Sequence, residues 1–201
     1  MIKLIEKIEG EAKLDFHMPR GVIEHVDIRF EQFRGMEAIL KGKQALDALV
    51  INPRVCGICG HAHLLATAQA LEAVYENLQI TPKAKIIRSL AQHFELIQNH
   101  FKWFYLTLFP LLGYKQDTLK AMSPSRLMAK AIAHFGGQYP HTSYAIVGGV
   151  ACEITQMDAV QIGSLIDQTI AFFEEVMVVG ESEAFLACEN IEHLMERGGD
   201  L

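Results

Sequence analysis

The sequence predicts an α+β chain, mainly α, in which short N-terminal antiparallel strands precede a bundle of long helices. Three observations carry that expectation. Apolar residues over positions 2–30 recur broadly at every second residue, as Leu14 and Phe16 or Ile28 and Phe30 do, the spacing of a strand with one buried face. Beyond them the spacing lengthens to three and four, the period of a helix. Half of the 201 residues are hydrophobic, enough for a sizeable core.

Two or three antiparallel strands are expected over residues 2–30, with Met18-Pro19-Arg20-Gly21 as a turn. Glu9 falls between the first two strand segments and by itself reads as a solvated hairpin carboxylate. Met36, Ile39 and Leu40, then Leu46, Leu49 and Val50, suggest two short helices broken at Gly42, with Glu37 an ordinary exposed helix carboxylate. Leu64, Ala68, Leu71, Tyr75 and Leu78 form one apolar helical stripe. Thr81-Pro82 is a good helix start, and Ile86, Leu90, His93, Ile97, His100, Phe104 and Leu108 trace a stripe lasting to about Phe109. His93 and His100 are expected there as packed imidazoles. Ser123-Pro124 is expected to open a shorter helix to about Phe135, ended by Gly136-Gly137. Residues 138–154 read as loop with a short strand at Tyr144–Val147, and His141 and Cys152 are expected to be buried. Thr155-x-x-Asp158 resembles a capping box opening a helix to about Val179, and a last helix is expected over Ser182–Arg197. No repeat or linker divides the chain, so residues 1–201 are expected to form a single domain, 1–30 as its β region and 31–201 mainly helical.

The chemistry concentrates in Arg54-Val55-Cys56-Gly57-Ile58-Cys59-Gly60-His61-Ala62-His63. Two thiols with two residues between them at a helix start, beside an Arg, have their thiolate forms favoured, and thiolate is the form that binds metal. By spacing alone the turn could be a pair of inert cysteines, a dithiol, or a zinc site of Cys56, Cys59 and one of His61 or His63. A zinc site would need a fourth ligand, and the usual second Cys-x-x-Cys or His pair is missing. A thioredoxin-like dithiol would follow a buried strand, whereas Asn52-Pro53 reads as a turn.

The wider wording is more specific. Arg54, Cys56, Gly57, Cys59 and His63 resemble the first nickel-binding motif of the [NiFe]-hydrogenase large subunit. Ile8-Glu9-Gly10 resembles the family's N-terminal Ile-Glu-Gly-His, with Glu11 in place of the His. Arg34-Gly35-Met36-Glu37 with Lys41-Gly42-Lys43, Asn99-His100-Phe101-Lys102-Trp103-Phe104-Tyr105, and Pro140-His141 with Gly148-Gly149-Val150 match further segments in order. In the second of these, Asn99 and Trp103 stand where the family has Asp and His. The family's second Cys-x-x-Cys is absent, since the other cysteines, Cys152 and Cys188, form no such motif. The resemblance therefore implies the N-terminal part of a large subunit.

That resemblance implies heterolytic oxidation of H2 or reduction of protons, with this chain inactive on its own. It implies Cys56 as a terminal nickel ligand, Cys59 as a bridge between nickel and iron, and His63 and Arg54 beside the sulfurs. Glu9 would be the first proton relay, and Glu37 a buried carboxylate near a magnesium ion, a hard cation suited to oxygen. Cyanide and carbon monoxide on the iron are implied by the family alone. The implied partners are the remaining C-terminal large-subunit segment and an iron–sulfur small subunit. The alternatives are a hydrogen-sensing regulatory hydrogenase and a quinone-site scaffold of the related respiratory complex; the scaffold lacks the metal cysteines.

Composition narrows the rest. Lys and Arg total 18 against 24 acids, a net charge of −6, unlike a nucleic-acid surface. Four cysteines are too few for a disulfide scaffold and suit a reducing compartment. Residues 1–20 form no signal-peptide core. The longest apolar run, Trp103–Leu112, is half the roughly 20 residues a membrane span needs and is expected as a buried helix end. A cytoplasmic location, or attachment to a membrane through a partner, is expected.

Overall fold

The computed structural model describes residues 2–4, 12–30, 34–111 and 114–178. The chain divides into two compact units, Met1–Gly42 and Lys43–Leu201.

In the first unit, β1 (Ile2–Leu4), β2 (Ala12–His17) and β3 (His25–Phe30) form an antiparallel sheet in sequence order. The register sets Lys13, Asp15 and His17 opposite Arg29, Asp27 and His25 on one face. Leu14 and Phe16 stand opposite Ile28 and Val26 on the other. Like charges directly opposite are unfavourable, and diagonal contacts relieve them. Arg29 donates to Asp15, and His17 and His25 lie 2.8 and 3.0 Å from the Asp27 carboxylate, holding its carboxyl below the usual range. The Met18–Gly21 turn forms as expected, with Gly21 at φ 76°. Helix α1 (Met36–Leu40) has no buried residue. Glu37, expected to be buried, is exposed, because so short a helix covers nothing with that face. Gly42 at φ 78° breaks the chain as expected. Glu9 lies outside the described residues.

The second unit begins with a 3₁₀ turn (Ala45–Asp47), α2 (Ala48–Ile51) and another 3₁₀ turn (Asn52–Val55). Then come α3 (Gly60–Glu72) and α4 (Pro82–Trp103), which runs through a π-helical turn (Phe104–Leu108) into α5 (Phe109–Leu111). After α6 (Thr118–Gly136) and the hairpin β4 (Ala145–Ile146)–β5 (Gly149–Val150), α7 (Gln156–Phe172) continues as a π-helical turn to Val178. Helix α6 packs between α4 and α7. The core joins Leu64 of α3, Ile87, Ala91 and Phe94 of α4, Met128, Ile132 and Phe135 of α6, and Ile162 of α7. A second cluster holds Phe101, Phe104, Tyr105, Leu108 and Phe109, so the apolar run after Lys102 is largely buried, Trp103 excepted.

Four expectations need correction. Helix α3 stops at Glu72, where the N–H groups of Val74 and Tyr75 donate to carbonyls three residues back. Tyr75 and Leu78 therefore lie beyond it and are exposed. On α4, Thr81 caps as expected, accepting from the Ala84 N–H at 3.3 Å, but the buried side differs. It is Ala84, Ile87, Arg88, Ala91, Phe94, Glu95, Gln98 and Phe101, and Ile86, Leu90, His93, Ile97 and His100 face outward. Apolar residues occur on both sides, and contact with α6 selects the one that also carries buried polar groups. Helix α6 starts at Thr118, capped by the Asp117 side chain accepting from Lys120 N–H at 3.0 Å, so Ser123-Pro124 lies inside it. His141 and Cys152 are half-buried rather than buried; burial still pushes the Cys152 thiol up.

The stop of α6 and the cap of α7 are as expected. Gly137 at φ 72° ends α6. The Thr155–Asp158 capping box is reciprocal: Asp158 N–H donates to Thr155 Oγ1 at 3.2 Å and Thr155 N–H to Asp158 Oδ2 at 2.9 Å. The last expected helix, Ser182–Arg197, lies outside the described residues.

Candidate metal centre

The cysteine turn is assembled from the 3₁₀ turn before it and α3 after it. Pro53 is buried, and its carbonyl passes so close to Gly60 that a Cβ there would meet the oxygen at 2.8 Å. Glycine at position 60 is therefore required by room. The chain is extended at Cys56 and turns so that Cys59 becomes the N-cap residue of α3. The Cys59 N–H donates to Cys56 Sγ at 3.1 Å, and His63 N–H to the Cys59 carbonyl at 3.3 Å. Thr67 donates to the His63 carbonyl at 2.7 Å and accepts from Asn52 at 2.9 Å, tying the helix back to the segment before the turn.

Cys56, Cys59 and His63 each offer a ligand atom, and these atoms lie within 4.8 Å of one another. Cys56 and Cys59, expected as thiolates, are joined as a disulfide in this structure. Opening that bond takes two electrons and leaves two sulfurs and an imidazole around one point. Two soft sulfurs and a borderline nitrogen fit nickel, iron or zinc and do not fit magnesium. Arg54 is exposed, and its guanidinium donates to the Val50 carbonyl one turn back. The structure thus brings together three of the expected site residues; Glu37 belongs to the other unit.

Sequence reasoning missed the polar groups that fasten this turn, from α4 and from the loop after α6. Glu95 is buried; Oε1 accepts from His61 N–H and Oε2 from Ala62 N–H, each at 2.8 Å. The Tyr139 hydroxyl lies 3.2 Å from Glu95 Oε1 and donates to the Ile58 carbonyl at 2.8 Å, which Asn99 Nδ2 also reaches at 2.9 Å. Burial pushes the Glu95 carboxyl up, and the bonds from His61, Ala62 and Tyr139 pull it partly back. His61 is buried too, stacked on Tyr144, with Nε2 2.6 Å from the Tyr144 hydroxyl and Nδ1 3.3 Å from Gln92 Oε1. Burial lowers its pKa to about 4, so it stays neutral. Both ring nitrogens are thereby engaged, which removes His61 from the ligand candidates. The signal that could have found Glu95 is its spacing: Arg88 and Glu95 are seven apart, two turns along the same side as Ala84, Ala91 and Phe94.

Below the turn, Arg88 donates to both oxygens of Glu72, at 3.1 and 2.6 Å, and to the carbonyls of Ile146 and Gly149. Gly148 N–H donates to Glu72 Oε1 at 2.9 Å. The Gly148-Gly149-Val150 segment is thus where the hairpin meets the end of α3.

Residues 34–109, which include the whole turn and the helix that fastens it, match the family model described as nickel-dependent hydrogenase. One subunit of the vhc F420-non-reducing hydrogenase of Methanococcus voltae is 26% identical over 215 residues, covering 98% of this chain and 44% of that protein. The periplasmic [NiFeSe] hydrogenase large subunit of Desulfomicrobium baculatum is 27% identical over 190 residues, 78% of this chain and 37% of that one. Among solved structures, the reduced Ni-Fe-Se hydrogenase of D. vulgaris Hildenborough superposes with a TM-score of 0.72 at 23% identity, over 89% of this chain and 42% of that one. The fold is therefore shared, and the chain spans less than half the length of the relatives it matches. The chain is accordingly similar to nickel-dependent hydrogenases, among them a large subunit of the [NiFeSe] type.

Proposed function

We propose that this chain is the N-terminal portion of the catalytic large subunit of a nickel–iron hydrogenase. The observation that carries the reading is the convergence of Cys56, Cys59 and His63 within 4.8 Å, inside the segment that matches the nickel-dependent family. Reduced to thiolates, Cys56 and Cys59 would hold the metal group, and two further cysteines would come from a large-subunit segment outside this chain. When bound, the nickel–iron group, its iron carrying cyanide and carbon monoxide, supplies the redox centre at which H2 becomes two protons and two electrons. His63, half-buried one helical turn from Cys59, would donate a hydrogen bond toward a sulfur and orient it. Arg54 adds positive charge on the same turn. Glu9 would accept the departing proton, and Glu37 would hold magnesium through oxygen. An iron–sulfur small subunit would take the electrons. Among the described residues no helix is long and apolar enough to cross a membrane, which fits work in the cytoplasm or at a membrane through a partner.

Two sulfurs and one nitrogen are also the donor set of a single zinc ion. Coexpression with the missing large-subunit segment, maturation factors and the small subunit, followed by metal analysis, separates the readings. Nickel with iron is expected, together with hydrogen-dependent dye reduction, and both are expected to vanish in Cys56→Ser. Zinc in the wild type, or undiminished nickel in the variant, overturns the proposal.

A further inference from the structure

The first turn of a helix leaves N–H groups without partners inside the helix, and Ser, Thr, Asp or Asn at the N-cap usually supplies the missing acceptor. In α3 that position is Cys59, whose side chain makes no capping bond. The N–H groups of His61 and Ala62, two and three residues on, are nevertheless both satisfied. Glu95 reaches across from α4 and gives one oxygen to each, both at 2.8 Å. It is 1% exposed, and its oxygens are met by N–H groups and the Tyr139 hydroxyl rather than by a cation. A carboxylate at the positive end of a helix is favourable, which offsets part of the cost of burying it.

We propose that Glu95 is the positioning residue of the cysteine turn. It caps α3 from a neighbouring helix, which frees the N-cap position to carry a sulfur ligand in place of a capping oxygen. It also keeps the first turn of α3 wound, and only a wound first turn sets His63 one turn above Cys59, its N–H 3.3 Å from the Cys59 carbonyl. Without the cap, Cys59 and His63 remain in the chain but lose their fixed separation. The inference rests on the reading of Cys56 and Cys59 as metal ligands.

The test uses the reduced 201-residue chain without oxygen, Co2+ as the probe, and the thiolate-to-cobalt absorption band as the signature of sulfur ligation. Amide exchange at His61 and Ala62 reports the cap separately. Glu95→Gln keeps the reach of the side chain and removes the charge and one acceptor. It is expected to speed exchange at His61 and Ala62 by ~10-fold or more, and to weaken Co2+ binding by about 10- to 100-fold, the usual effect of losing a group that orients a ligand. Faster exchange with unchanged cobalt affinity and band would make Glu95 a helix cap and nothing more. Unchanged exchange would remove the cap itself. Absence of the band in the wild-type chain would instead strike the metal-ligand reading, and this inference with it. Cys59→Ser supplies a second arm. Serine can cap its own helix, so adding Glu95→Gln to that variant is expected to change exchange at His61 and Ala62 by less than about 3-fold. An effect as large as in the Cys59 background overturns the proposal.

Discussion

Helix α3 is held at both ends by the same neighbour, α4, and the two attachments are built on opposite electrostatic logic. At its C-terminal end Glu72 meets a cation, and the bonds from Arg88, with that of Gly148, hold its carboxyl below the usual range. At its N-terminal end Glu95 is bonded by N–H groups and a hydroxyl, and burial pushes its carboxyl up against those bonds and the weaker pull of the His63 charge. The first is a charge pair that fixes a hairpin against two helices. The second is an anion held by a helix terminus beside a candidate ligand set, where an extra cation would compete with the metal. One end secures the fold, and the other sets the geometry of the sulfurs.

Breaking the cation end should cost most. Arg88→Leu leaves Glu72 largely buried without its partner and strips donors from the Ile146 and Gly149 carbonyls. A loss of about 3–5 kcal/mol in urea unfolding at pH 7 is expected, the usual cost of removing one member of a buried pair. A loss under about 1 kcal/mol would mean the hairpin holds without it.

Acid should separate the ends next. His61 titrates near 6.5 when unfolded and at about 4 when folded, so the unfolded chain binds more protons between those values. Stability from its burial is full above pH 6.5 and is lost as pH falls toward 4, by about 3 kcal/mol over that span. Glu72, with its pKa lowered, likewise weakens the fold as pH falls through its range, whereas Glu95, with its pKa raised, favours the fold in acid and loses that contribution as pH rises. Unfolding followed from about pH 7 to 4 in wild type and His61→Gln is the measurement. The wild type should lose stability more steeply between 6.5 and 4, and parallel curves would show that His61 is solvated when folded.

The smallest change sharpens the anion end. Tyr139→Phe removes the hydroxyl shared by Ile58 and Glu95 and should cost about 1 kcal/mol, the net worth of one hydrogen bond. The loss should appear as faster exchange at His61 and leave Gly148 unchanged; equal effects at both amides would show that the two ends are not independent.

What was legible in the sequence was local. The Met18–Gly21 turn, the Thr81 cap, the Thr155–Asp158 box and the glycine after α6 are each decided within four residues, and each appears where expected. That Cys56, Cys59 and His63 lie together follows from a turn running straight into a helix, whereas spacing alone left His61 and His63 open and the resemblance selected His63. The exposed and buried sides of α4 were not, because Ile86, Leu90 and Ile97 make as good a stripe as Ile87, Phe94 and Phe101 until α6 is in place. Pro124 misplaced the start of α6, since Ser-Pro imitates a cap and the operative one is Asp117. Glu95 escaped because its partners are 33 and 34 positions away, and its two-turn spacing from Arg88 marks a buried side only once α6 has selected that side of α4.

The double attachment of α3 has a kinetic consequence. A helix free at one end frays there within nanoseconds to microseconds, and a ligand on the frayed turn would trade its ion on that clock. Here the first turn is clasped by Glu95 and the last by Arg88, both from α4, so neither end of α3 can peel away unless those clasps open. Release then depends on a sub-global opening that involves both helices, a far rarer event than the movement of a loop. An ion seated on Cys56 and Cys59 would inherit that slow clock, so its residence time would be set in large part by the strength of bonds that never touch it.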